Sequence, residues 1–228
     1  MMKKLPVHEI TYRRLRDMVL FGELAPGQAV TIQGLVEALG TGITPVREAI
    51  RRLTAEGALE FKGNRRVSVP ALTPDHLEEL SFARAALEPH LAQLACNLIT
   101  PAQIDGLEAI DAQVNIAIQK GDIRAYLEQN YRFHTTLYTV SGQEILCAMV
   151  QGLWLRVGPS LRIVCGRDGT LNLPDRHAEA ICALRASSGD GVAQAIRDDI
   201  LQGQEQIIVA LREDAQSRAP GVRSSIDK

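Results

Sequence analysis

A glycine turn between two short helical stretches constrains this chain of 228 residues more than any other feature. Thr31 is placed to cap a helix that runs to Leu39. Gly40 and Gly42 turn the chain, and Thr44 then caps a second helix, PVREAIRRLTAE, which stops at Gly57. Pro45 falls at the first helical position of that reading, where a missing N–H costs nothing. Val46, Ala49, Ile50 and Leu53 recur at i, i+3, i+4 and i+7, so they form an inward face. Upstream, Ile10, Leu15, Met18 and Val19 give residues 8–21 helical spacing, and GELAPG (22–27) breaks that helix. Downstream, ALEFK and RRVSVP flank Gly63-Asn64 and read as a β-hairpin.

Two short helices across such a turn can set the second into a DNA major groove. Its first turn reaches base edges there. Arg47 offers a bidentate fork to guanine, and Thr44 a hydroxyl to base or phosphate. Arg51 and Arg52 lie one turn on, towards phosphates. Lys62, Gly63, Asn64, Arg65 and Arg66 make the hairpin tip, suited to backbone or minor-groove contact. Any surface helix can carry arginines. The ordered combination of turn, Thr-Pro start, Arg-rich helix, Gly and basic hairpin is far more specific. The charge agrees: residues 1–70 carry 11 Lys/Arg against 7 Asp/Glu, whereas the remainder nets −6.

After Pro70 the strand signals vanish. Thr73-Pro74 and Thr100-Pro101 each pair a cap with proline at the first helical position. Gln103 three after Thr100, and Glu144 three after Ser141, fit capping boxes. Helices are expected near 74–99, 101–120, 122–140, 143–165, 174–187 and 190–216, with a loop at 166–173. The fold class is mainly α: a winged helix-turn-helix at 1–70 with a small hairpin wing, then a six-helix antiparallel bundle at 71–216. The tail 217–228 reads as disordered.

Several classes are set aside. Cys96, Cys147, Cys165 and Cys182 form no C-x-x-C pair and read as reduced thiols, mostly small core residues. MMKKLPVHEI lacks a signal peptide's apolar core, and the apolar runs are too short for a membrane span, so a cytoplasmic protein is expected. No G-x-S-x-G or H-E-x-x-H is present, which weighs against an enzyme.

The stretch FGELAPGQAVTIQGLVEALGTGITPVREAIRRLTAEGAL resembles the GntR family of bacterial regulators. Gly22, Leu24, Pro26, Gly27, Gly40, Thr44, Pro45, Val46, Arg47, Glu48, Ala49, Leu53, Glu56 and Gly57 carry the match. The chain departs where the family has Ser-Arg before Thr-Pro; here stand Gly42 and Ile43. In relatives that arginine contacts DNA, so an altered operator is implied, with more reliance on Arg47 and the wing. Gln33 occupies an often charged position, and with Thr31 it joins the candidate DNA contacts. From 74 to 212 the chain resembles the FadR subfamily's ligand-binding FCD domain, through FARAALEPHLAQLA, NYRFHTTLYTVSGQEIL, RHAEAICALRASSGD and IRDDILQG.

Asn130 and His134 are four apart and share a helix face. The resemblance aligns Asn130, His134, His177 and Asp199 with a metal set that in relatives is one Asp and three His. Two imidazoles, a carboxylate and an amide oxygen can still hold Zn, Ni or Mn. The competing reading is a metal-free pocket whose histidines bond a ligand or water. The family also implies a small carboxylate or sugar-acid effector, with Arg84 and Arg156 as candidate cations. Arg84 can equally pair with Glu88 at i+4, and Arg156 can be a surface or interface residue. Trp154 reads as core more than cavity lining, and His8, His76 and His90 as surface or capping residues. The expected protein is a ligand-responsive regulator in the family's usual mode of repression. It would be a homodimer on a palindromic operator. A metal-dependent enzyme using His134 and His177 is the alternative.

Overall fold

The computed structural model describes residues 5–63, 65–163 and 173–218, with side chains to 213. Asn64, Cys165, most of the 166–173 loop and residues 219–228 of the expected tail lie outside them. The N-terminal half comprises α1 (Val7–Leu20), β1 (Val30–Thr31), α2 (Ile32–Leu39), α3 (Ile43–Ala55), β2 (Glu60–Phe61) and β3 (Arg66–Ser68). The predicted apolar face of α3 is the core of this unit. Val46, Ala49, Ile50 and Leu53 are buried with Leu15, Val19, Leu35 and Leu39. Thr31 caps α2 as expected, its Oγ1 accepting from Gly34 N at 3.0 Å. Gly40 ends α2 at φ 60°, a conformation that favours glycine.

Two local expectations need correction. Thr44 does not cap α3. The helix starts two residues earlier, with Gly42 extended at its N-cap and Thr44 inside the first turn. Pro45 still loses nothing, because the first intrahelical bond runs from Val46 N to Gly42 O. The wing is also more than a hairpin. β3 pairs antiparallel with β2 and, on its other edge, with β1, giving the order β1-β3-β2. β1 is two residues long, too short to leave a period in the sequence.

Among the described residues the C-terminal half has six α-helices: α4 (Pro74–Cys96), α5 (Pro101–Lys120), α6 (Ile123–Val140), α7 (Glu144–Val157), α8 (Arg176–Arg185) and α9 (Gly189–Arg218). Thr73 and Thr100 cap α4 and α5, the latter with its complete capping box. The Ser141/Glu144 box does not form. Ser141 donates to Tyr138 O instead, and Gln143 caps α7 without its side chain. Nor is 143–165 one helix. α7 ends at Val157, and Gly158–Ile163 tighten into a 3₁₀ turn where Gly158-Pro159 interrupts the α ladder.

The two halves are docked rather than merely tethered. Gly158 lies 3.5 Å from the Leu20 side chain by its would-be Cβ, and Gly22 lies against Leu127. Arg16 Nη2 donates to the Tyr131 hydroxyl at 2.8 Å, and Arg124 pairs with Glu23. Among the described residues no helix is long and apolar enough to cross a membrane.

Candidate functional site

On the N-terminal half, Thr31, Gln33, Thr44, Arg47, Arg51, Lys62, Gly63, Arg65 and Arg66 are all exposed. Gln33 bonds Glu37 at 3.3 Å, and Lys62 pairs with Glu60 at 2.8 Å. These are weak, exposed pairs that a phosphate can displace. Arg52 stands apart. It is half-buried, pairs with Glu9 at 3.0 Å and lies 3.6 Å over the Tyr12 ring. Glu9 is held below the usual carboxylate range by its bonds to Arg13 and Arg52. Arg52 thus ties α3 to α1.

The second site lies inside the helical half. α6 turns Asn130, His134 and Tyr138 inward at successive i+4 positions, α8 supplies His177 and α9 supplies Asp199. His134 Nε2 is 3.2 Å from His177 Nε2 and 3.2 Å from Asp199 Oδ2. His134, His177 and Asp199, which only the family resemblance had placed in one set, therefore converge. Asn130 is buried beside them and lines the adjoining cavity of about 260 Å³ with Asp111, Asn115, Arg176, His177 and Asp199.

Outer partners orient both rings. His177 Nδ1 is 2.9 Å from Asp111 Oδ1. His134 Nδ1 is 2.9 Å from the Tyr138 hydroxyl, which itself donates to Glu88 at 2.7 Å. The Nδ1 protons are therefore spoken for. That leaves two Nε2 lone pairs and a carboxylate facing one another within 4.8 Å. Either an added proton or a cation must hold such a set together, so the donors fit a divalent ion. Burial drives the His134 imidazole below its ordinary value despite Asp199. Burial also acts on His177, but Asp111 and Asp199 outweigh it and hold that ring above. Asp199 stays ionised, at about 2: burial would raise it, and His134, His177 and Arg84 outweigh that.

Arg84 forms the i+4 pair with Glu88 that the sequence offered as one of its two readings. It lines a smaller recess of about 50 Å³, and its Nε and Nη2 donate to Glu88, at 2.6 and 3.2 Å. Glu88 is fully buried and also receives the Trp154 indole N–H at 3.3 Å. Trp154 is core, as expected, and packs 5.1 Å from the His134 ring. Arg156 is the one effector candidate that the structure removes from the cavity. Its Nε donates to Glu56 O at 3.2 Å, and its guanidinium lies flat on Gly57. A Cβ at Gly57, φ +74°, would meet it at 2.6 Å, so that glycine serves both a turn and a domain contact.

Sequence reasoning missed Asp111, Tyr138 and Arg176, and saw Glu88 only as a partner for Arg84. Asp111 had a signal: a carboxylate on the buried stripe Ile104, Leu107, Ile110 and Val114 of α5. Tyr138 extends the Asn130/His134 spacing by one more turn.

Known proteins agree with this architecture. Residues 8–69 match the model of bacterial regulatory proteins of the gntR family, and residues 79–202 match the FCD domain. The chain is 30% identical over 192 residues to the HTH-type transcriptional regulator McbR of Escherichia coli K12, covering 82% of this chain and 86% of that protein. It is 24% identical to the HTH-type transcriptional repressor RspR of the same strain, over 89% of each. A solved structure of E. coli McbR/YncC superposes with a TM-score of 0.80 at 27% identity, covering 93% of this chain and all of that one. These matches span both halves, and the relatives are transcriptional regulators, not enzymes. The chain belongs to the GntR family of bacterial transcriptional regulators and carries an FCD domain behind its DNA-binding helix-turn-helix.

Proposed function

We propose that this chain is a ligand-responsive repressor of the FadR subfamily, acting as a cytoplasmic homodimer on a palindromic operator. DNA binding falls to Thr31, Gln33, Thr44, Arg47 and Arg51, with Lys62, Gly63, Asn64, Arg65 and Arg66 from the wing. Arg52 has a second duty as the α1–α3 tie. The sensory site is His134, His177 and Asp199 with the Asn130 amide. It would hold Zn, Ni or Mn, and a small organic anion would enter through the 260 Å³ cavity. The bound ion would supply the positive charge that Arg84 cannot, because Glu88 neutralises that guanidinium.

The observation carrying this reading is the convergence of two oriented imidazoles and a carboxylate beside a polar cavity, with one imidazole on α6, which also touches the DNA-binding half. α6 presents Asn130 and His134 to the site and Tyr131 to Arg16 of α1. The Tyr131 ring also packs edge-on against Trp154 at 5.6 Å, which in turn packs on His134. A ligand that shifts this cluster shifts the support under α1, and binding energy moves from one site to the other.

The test is selection of bound fragments from sheared genomic DNA, followed by affinity measurement on the winning duplex. Arg47→Ala should weaken binding by about 1–3 kcal/mol and relax preference at one base pair per half-site. Undiminished affinity would remove Arg47 from base reading. Failure to enrich any fragment would remove the regulator reading itself.

A further inference from the structure

We propose that Ile43 reads a thymine methyl group in the operator half-site. The inference rests on the DNA-binding reading above and adds a determinant of sequence preference to it.

Ile43 is the first residue of α3, the second helix of the helix-turn-helix. N-terminal residues of that helix are the ones that approach base edges in this motif. Ile43 is 44% exposed and takes no part in the hydrophobic core. Its N-terminal neighbour Gly42 has no side chain to cover it. Arg47 lies one helical turn away, and Thr44 is exposed beside it. The leading edge of α3 is therefore an apolar group, a hydroxyl and a guanidinium in series.

That series fits a major-groove edge. Thymine alone places a methyl group there, and aliphatic side chains contact it. Guanine's O6 and N7 take the Arg47 fork. An isoleucine cannot bond a phosphate or a base acceptor, so water exclusion against a methyl is the contact open to it. Four residues of helix advance about 6 Å, close to two base-pair steps. The thymine should therefore stand within about two base pairs of the guanine read by Arg47.

The experiment uses the full-length protein and a duplex selected from a random-sequence library by the wild type. Each thymine is replaced in turn by deoxyuridine, which removes only the methyl. One symmetric pair of positions should lower wild-type affinity about fourfold per half-site, the weight of one buried methyl. Ile43→Ala should bind the thymine and deoxyuridine duplexes alike, while Ile43→Val keeps the discrimination. Equal sensitivity in wild type and Ile43→Ala would overturn the assignment, because another group would be reading the methyl. A half-site with no methyl-sensitive thymine would overturn it too. A wild type that selects no sequence at all would instead sink the DNA-binding reading, a separate and recognisable failure.

Discussion

Replacing Arg84 with methionine is expected to destabilise the protein by about 3–5 kcal/mol, the usual effect of leaving a buried charge unpaired. Glu88 is fully buried, and Arg84 supplies both arms of its salt bridge. Tyr138 and Trp154 still donate to that carboxylate, so it would retain hydrogen bonds but no counter-charge. For a chain of this length the loss corresponds to roughly 6–20 °C in Tm. Adding Glu88→Met should recover part of it. Recovery stays incomplete because Tyr138 and Trp154 then lose their acceptor. Thermal unfolding of the two variants reads this directly, and a single variant within 2 °C or so of wild type would show that the pair is not a structural hub.

His177→Ala should abolish metal retention. Protein purified without chelator or affinity tag should carry about one Zn, Ni or Mn per chain by elemental analysis, and the variant none. Among the described residues three strong donors converge, and losing one imidazole leaves a single ring, a carboxylate and a weak amide. Asp111→Asn should be milder, lowering metal affinity about 10- to 100-fold, because it disturbs the orientation of His177 rather than a ligand. No metal in either protein would mean that Asn130 and Asp199 leave the set too weak. The cluster would then be held by a proton.

The pattern of success follows the range of the interactions involved. The face Val46, Ala49, Ile50, Leu53 was legible because a helix repeats its burial every three to four residues. The Thr31 and Thr100 caps were legible because capping is local. Asn130 and His134 were legible as an i+4 pair, and their joining with His177 and Asp199 came only from resemblance. What failed was nonlocal or too short. β1 exists because β3 offers an edge, and two residues carry no period. Thr44 yielded its capping place to Gly42 because α3 gains two residues without disturbing Pro45. Arg156 and Arg52 look like free cations in sequence, and each is held by a residue about 40 or more positions away.

The central claim is that one site governs the other. The most direct measurement is the affinity of the wild-type protein for its selected duplex, by fluorescence anisotropy at fixed salt, after chelation and again after adding back Ni²⁺. A coupling of about 1–3 kcal/mol, a shift of roughly 5- to 150-fold, is the predicted result, and His134→Ala should erase it while still binding DNA. Identical affinities for the chelated and the metal-loaded protein would contradict the account.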